Sequence, residues 1–304
     1  MRVVFMGTPD FAVPSLRLLV ERHDVTLALT RPDAVRGRGK RLEPSAVKAA
    51  ALELGVPVIE TNKITPEVLD RIRAETPDVI CVAAYGCILP DEVLDVARLG
   101  CVNVHGSPLP RWRGAAPIQR GVLEGDDEVG VSIMRVVHDL DAGAYCRQAT
   151  IAVGQKTCTQ LMSEVAQLGA DELLAALGQM EAGEARWVEQ DESQVTYAKK
   201  ISKAEMRLDP ADDVAKNARR IQASTDAAPA RLKVGERGVR VLLATVSSEP
   251  LGAGRALVRK GRVFLGCADG SLELLRVKPD GKKEMDASAW AQGLHADGLT
   301  WGRL

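Results

Sequence analysis

The stretch Cys101-Val102-Asn103-Val104-His105-Gly106-Ser107-Pro108-Leu109-Pro110-Arg111-Trp112-Arg113-Gly114-Ala115-Ala116-Pro117 passes from a short apolar alternation into a turn-rich polar segment. Alternate residues of a β-strand share a face, so Asn103 and His105 point one way while Val102 and Val104 point into a packing layer. Ser-Pro-Leu-Pro cannot continue a ladder, because each proline lacks an N–H and restrains the residue before it. The strand therefore opens into a loop with an amide and an imidazole beside it. Leu140-Asp141-Ala142-Gly143 supplies a carboxylate in a second turn after another β-like run, so Asn103, His105 and Asp141 form a candidate constellation. A structural Asn-x-His hydrogen-bonded pair fits the same spacing, and spacing alone leaves both readings open.

Outward from this stretch, apolar strands alternate with amphipathic helices. Residues 2–6 read as a strand, Gly7 to Asp10 as a tight turn and 11–20 as a helix; strands at 25–29, 56–59 and 79–83 and helices at 45–54 and 66–74 repeat the unit. Continuous apolar strands in βα alternation predict a parallel sheet covered on both faces, with ligands at the carboxyl ends of the strands. Tyr85-Gly86-Cys87-Ile88-Leu89-Pro90 lies just past such a strand end. The single Gly7 lacks the three-glycine spacing of a dinucleotide site, which argues against NAD. A helix at 116–123, strands at 129–136 and 145–153 and a long helix at 159–180 complete a first domain over 1–186.

Residues 187–206 are polar and irregular and read as a linker. Beyond a helix at 214–224, five short alternating runs, the last three separated by Lys260-Gly261 and Asp269-Gly270, predict a small antiparallel OB-fold-like β-barrel over 207–304. The fold class is thus α/β, a Rossmann-like, mostly parallel N-terminal domain followed by a smaller barrel.

The 304 residues are 46% hydrophobic and 27% charged, with no run near the roughly 20 apolar residues that span a bilayer. The chain reads as a cytoplasmic monomer without leader or membrane span. Its six cysteines form no Cys-x-x-Cys pair and mostly lie in apolar runs, as buried thiols do in a reducing compartment. Neither they nor the four histidines show metal-ligand spacing, so no metal is expected. The net charge of −1 conceals an asymmetry: residues 207–304 carry 17 Lys and Arg against 12 Asp and Glu, leaving −6 for residues 1–206. A basic second domain and the glycine-spaced run Arg36-Gly37-Arg38-Gly39-Lys40-Arg41 suit contact with a polyanion; an ordinary solvated surface fits the composition equally.

The wording from Val104 to Gln119 resembles the signature of methionyl-tRNA formyltransferases. The resemblance continues through Gly7-Thr8-Pro9-Asp10-Phe11-Ala12, Gly37-Arg38-Gly39-Lys40, Ala84-Tyr85-Gly86, Ile88-Leu89-Pro90, Leu140-Asp141-Ala142-Gly143 and Tyr197-Ala198-Lys199-Lys200-Ile201-Ser202-Lys203. It covers about two thirds of the chain. It implies a formyltransferase domain with a C-terminal barrel, and transfer of a formyl group from 10-formyltetrahydrofolate to methionine on initiator methionyl-tRNA. As an amine attacks the formyl carbon, its oxygen gains negative charge; Asn103 and His105 are the expected donors to it, with Asp141 orienting His105 and helping to remove a proton. By the same resemblance, folate contacts fall on Tyr85, Gly86, Ile88, Leu89, Ser107, Pro108, Leu109 and Pro110 and on residues 137–141; the cations Arg36, Arg38, Lys40 and Arg41 of the glycine-spaced loop are the expected tRNA contacts, since arginine and lysine seek phosphates. The sequence departs from the family at Pro108, where Leu is usual and where the backbone donor is lost, and at 224–229, where an aromatic, proline-rich segment is common. A nucleotide-sugar formyltransferase uses the same Asn-His-Asp chemistry; a non-catalytic tRNA-binding protein would not need the trio.

Overall fold

The chain runs β1 (Arg2–Gly7), α1 (Val13–Arg22), β2 (Asp24–Thr30), β3 (Ala34–Arg36), β4 (Arg41–Glu43), α2 (Ala46–Glu53), β5 (Val58–Glu60), α3 (Pro66–Ala74), β6 (Val79–Ala83), α4 (Asp91–Leu94) and β7 (Cys101–His105). It continues through β8 (Arg113–Gly114), α5 (Pro117–Glu124), β9 (Glu128–Arg135), β10 (Tyr145–Ala152), α6 (Cys158–Glu181), β11 (Tyr197–Ala198) and α7 (Val214–Gln222). The remainder is β12 (Arg231–Val234), β13 (Arg237–Ser247), β14 (Ala256–Arg259), β15 (Arg262–Gly266), β16 (Ser271–Pro279), β17 (Met285–Asp286), α8 (Ala287–Ala291) and β18 (Trp301–Gly302). The computed structural model describes residues 1–36, 41–294 and 298–304. It divides into a first unit of Met1–Pro117, Glu128–Ala152 and Met162–Ala198 and a second of Ile118–Asp127, Val153–Leu161 and Lys199–Leu304.

In the first unit, seven strands among the described residues pair in the order β10-β9-β7-β6-β1-β2-β5. The pairs linking β5, β2, β1, β6 and β7 are parallel, while β9 and β10 are antiparallel additions. The apolar runs of β1 and β6 are continuous because both faces are buried. Val4 and Met6, Leu27 and Leu29, Ile80 and Val82 take alternate positions on three neighbouring strands and pack together with Ile72 of α3. That helix starts where Thr65 accepts from the Val68 N–H, with Pro66 in its first turn; such a cap stabilises by about 1 kcal/mol.

Near the candidate constellation, α6 lies close against β7. A β-carbon added to Gly169 would stand 2.6 Å from Val104 Cγ1 and 3.2 Å from Val131 Cγ2. Glycine inside a helix costs about 1 kcal/mol relative to alanine, and here it permits an approach that a side chain would block. Val102 and Val104 are accordingly buried, and Asn103 is the partly exposed residue between them.

In the second unit, β14-β15-β16-β13-β12-β18 form an antiparallel sheet with β17 beside β16. Arg255 and Thr300 bridge its two ends, supported by Ala256 N–H to Leu299 O and Trp301 N–H to Gly254 O, both 2.9 Å, so the sheet is a nearly closed barrel. Leu232, Val239, Val241, Leu265, Leu272, Trp290 and Trp301 fill its core, and the buried Trp301 indole donates to Gly266 O at 2.8 Å.

The parallel sheet and barrel expected from the sequence are present. The five expected barrel strands are joined by β17 and β18, whose two-residue lengths leave no readable alternation. The glycine-spaced basic run is flanked by β3 and β4, which pair antiparallel with Arg36 and Arg41 as register partners. Arg38 and Lys40 lie outside the described residues, and Arg36 and Arg41 are described by backbone alone. Of the stretch read as a linker, residues through Ala198 belong to the first unit and those from Lys199 to the second. All six cysteines are free; burial pushes the Cys101 and Cys158 thiols up to about 12 and those of Cys146 and Cys267 up to about 11. No helix among the described residues is long and apolar enough to cross a membrane.

Candidate active site

Strand β7 presents Asn103 and His105 on one face, and the turn after β9 brings Asp141 to His105. Asp141 Oδ2 stands 3.6 Å from His105 Nδ1 and accepts the Gly114 N–H at 2.8 Å. On the other side of the ring, His105 Nε2 lies 2.9 Å from the Trp112 carbonyl. A carbonyl oxygen only accepts, so Nε2 carries a proton, and a second proton on Nδ1 would face a carboxylate. His105 is 5% exposed and therefore held between two acceptors inside the fold. Asn103 is partly exposed, and among the described residues its amide has no hydrogen-bond partner. The trio thus comprises an engaged imidazole, an engaged carboxylate and an amide with donor capacity to spare.

The segment Trp112-Arg113-Gly114 holds both members of the pair, one by a carbonyl and the other by an N–H. It is itself fixed by pairing between β8 and β11: Trp112 N–H donates to Thr196 Oγ1, Arg113 N–H to Thr196 O and Ala115 N–H to Ala198 O, each at 2.9 Å. Gly114 has φ +118°, and a β-carbon there would stand 3.0 Å from Ala198 O, so this close clasp requires glycine. Trp112 and Asp141 adopt left-handed backbone, φ +65° and +50°, and such conformations in non-glycine residues cluster where a fold holds functional groups in place.

The Ser-Pro-Leu-Pro loop is tied to β9 and β10. Buried Ser132 donates to Ser107 O at 2.7 Å and accepts from the Leu109 N–H at 3.0 Å, while the Gln148 amide donates to Leu109 O at 2.7 Å and to Ser132 Oγ at 2.9 Å. Ser107 is buried with its hydroxyl on Arg111 O at 2.6 Å, and Leu109 is buried, whereas Pro108 and Pro110 are partly exposed. In the other expected folate loop, Gly86 is exposed, Leu89 is partly buried and Ile88 is 92% exposed. Tyr85 instead turns its ring into the core beside Val4, Met6 and Ile80, leaving its backbone carbonyl to accept from Thr8 Oγ1 at 2.7 Å. Burial pushes the Tyr85 phenol well above its ordinary range. Val137 and Leu140 on the Asp141 turn also expose apolar side chains.

Sequence reasoning missed Ser132, Gln148, Thr196 and Gln190, whose roles depend on partners far along the chain. Gln190 donates to the carbonyls of Asp141 and Gly143, both at 2.8 Å, and accepts from Arg113 Nε at 2.9 Å. Among the described residues no group of three His, Cys, Asp or Glu is placed to hold a metal ion.

Comparison with known proteins places the chain among formyl transferases. A family model described as "Formyl transferase" matches residues 1–177, and one described as "Formyl transferase, C-terminal domain" matches residues 200–295. The chain is 43% identical over 297 residues to a methionyl-tRNA formyltransferase of Halorhodospira halophila, covering 96% of each. It also resembles HypX from Aquifex aeolicus solved in complex with tetrahydrofolic acid, at 18% identity and TM-score 0.65, covering 99% of this chain and half (50%) of that one. A sugar 3N-formyl transferase, WlaRD, solved in the presence of dTDP and 5-N-formyl-THF, matches at 13% identity and TM-score 0.66 over 93% and 99% of the chains. At these identities the two solved structures establish the fold alone.

Proposed function

The chain belongs to the methionyl-tRNA formyltransferase family, and on that premise we propose that it transfers a formyl group from 10-formyltetrahydrofolate to the amino group of methionine on initiator tRNA, in the cytoplasm. The single observation that carries the chemistry is the Asn103 amide, which has no hydrogen-bond partner among the described residues, on the strand face it shares with an imidazole fixed between Trp112 O and Asp141. A bound formyl-folate supplies an activated carbonyl whose oxygen takes up negative charge as the amine adds. Asn103 donates to that oxygen; a preorganised donor of this kind contributes about 10²–10³ in rate. His105 is the second donor and reaches the oxygen through Nε2 once it releases Trp112 O. Asp141 orients the ring through Nδ1 and takes the proton that the ammonium loses before the free amine attacks; collapse of the tetrahedral centre then breaks the bond between the formyl carbon and the folate nitrogen, which takes up a proton and leaves as tetrahydrofolate.

The residues fit such a donor. Ile88, Val137 and Leu140 offer apolar surface to a flat heteroaromatic ring, and the Ser107–Pro110 loop offers backbone edges held in place by Ser132 and Gln148. For the acceptor, Arg36, Arg38, Lys40 and Arg41 concentrate four cations in six residues, and the barrel carries the chain's positive surplus. We assign tRNA phosphate contact to that run and to the barrel domain, residues 207–304, and the chemistry to residues 1–186.

The test is a formylation assay offering charged initiator tRNA, charged elongator tRNA and a nucleotide amino-sugar, followed by tRNA binding across a salt series. Preference for initiator tRNA is expected. Replacing the four cations by Ala should flatten the log–log salt dependence by about 0.7–0.9 per lost phosphate contact. Identical slopes would remove this run from the interface, and turnover of the amino-sugar alone would replace the proposed acceptor.

A further inference from the structure

The segment after α6 carries a side chain whose hydrogen bonds join the Asp141 turn to Arg113. Gln190 is buried, and its amide meets three groups: Nε2 donates to Asp141 O and to Gly143 O, both at 2.8 Å, and Oε1 accepts from Arg113 Nε at 2.9 Å. The orientation is unambiguous, because the reversed amide would set oxygen against two carbonyls and NH2 against a guanidinium. Arg113 is 4% exposed and is anchored at its far end by Glu192 at 2.7 Å. Its own backbone lies between the Trp112 carbonyl on His105 and the Gly114 N–H on Asp141. One amide thus joins both sides of the pair: it grips the carbonyls at and beyond the left-handed Asp141, and it holds the side chain of the segment that clasps His105.

We propose that Gln190, steadied by Arg113, is a positioning residue that sets Asp141 against His105, so that the segment 187–198 is part of the catalytic apparatus. The inference rests on the formyl-transfer reading. Glutamate at 190 keeps the acceptor for Arg113 and loses both donors to the turn, whereas alanine loses all three bonds; the two variants therefore separate gripping the turn from merely holding the arginine. Displacing a catalytic group by about 1 Å costs up to about a hundredfold in rate.

Full-length Gln190→Ala and Gln190→Glu are assayed for steady-state formylation of charged initiator tRNA, and their His105 ring nitrogens are followed by 15N NMR after selective histidine labelling. Expected is a fall in kcat of about tenfold to a hundredfold in both variants, each KM within about twofold of the native value, and displaced His105 signals in both. Native kcat in Gln190→Glu overturns the proposal, because holding Arg113 would then be all that Gln190 does. Reduced kcat with unmoved His105 signals also overturns it, as does loss of fold in both variants by circular dichroism. If the native protein formylates no tRNA, the functional reading fails by itself, while the ring signals still decide whether Gln190 sets the pair.

Discussion

Replacing Asn103 by alanine separates catalysis from stability more cleanly than any other change at this site. The side chain is partly exposed, so little apolar area leaves the core, and its amide has no partner among the described residues. Nothing is orphaned by its removal, whereas a buried partner left unsatisfied would cost about 1–3 kcal/mol. The unfolding free energy should therefore stay within about 1 kcal/mol of native, which for units of this size keeps Tm within about 2–4 °C. The activation barrier should rise by about 3–4 kcal/mol, a loss of about 10²–10³ in single-turnover rate, because the lost donor acts only on charge that develops in the reaction. Asn103→Asp sharpens the comparison: it is isosteric but sets a carboxylate against the developing negative oxygen, a repulsion of about 4 kcal/mol at 4 Å and an effective dielectric of 20. Its rate should be no higher than that of the alanine variant. The assay is rapid-quench formylation of charged tRNA with saturating 10-formyltetrahydrofolate, paired with thermal unfolding. A rate within tenfold of native in Asn103→Ala would falsify the assignment, and a Tm loss beyond about 10 °C would make Asn103 a structural residue instead.

Asp141→Asn should preserve the fold, since the amide oxygen can keep the Gly114 N–H bond, yet lose the charge facing His105 Nδ1 at 3.6 Å; a drop in kcat of about a hundredfold or more is expected, and native kcat would remove Asp141 from the chemistry. Gly169→Val should destabilise by about 1–3 kcal/mol in urea despite better helix propensity, because its side chain must displace Val104; a raised midpoint would contradict the close approach of α6 to β7. In the barrel, hydrogen bonding from Arg262 holds the Glu273 carboxyl below its ordinary value of 4.5, so its contribution is complete above that pH and is lost as pH falls through the lower folded value. The Tm difference between native and Glu273→Gln should accordingly be largest near pH 6–7 and shrink below about pH 4; a difference constant with pH would show that the pair contributes nothing electrostatic.

Much of this protein was legible where the signal is local. The period-2 alternation of residues 101–105 placed Asn103 and His105 on one face of a strand, and the structure buries Val102 and Val104 opposite them. Continuous apolar runs at β1 and β6 announced a sheet covered on both faces, and Lys260-Gly261 marked a hairpin whose residues take φ +51° and +75°. These features follow from periodicities and turn chemistry spanning a few residues, which the order of amino acids determines directly.

What only the tertiary structure decided depends on residues distant in sequence. Asp141 meets the segment 112–114 across 27 residues, Arg113 meets Gln190 across 77, and Leu109 meets Ser132 across 23. None of these partners stands out by type, since an isolated Gln or Ser in a polar stretch is equally at home on a solvated surface. Tyr85 illustrates the converse: its place in a strand-end loop directs attention to a ligand edge, but the left-handed turn at Ala84 sends its ring into the core. The polar stretch after α6 offered no periodicity because it is ordered by a two-residue pairing with β8 and by the Gln190 bonds, neither long enough to leave a pattern. Local sequence determined which elements form and which faces they bury; the packing of those elements determined which side chains meet, because a hydrogen bond between distant residues exists only once the fold has brought them together.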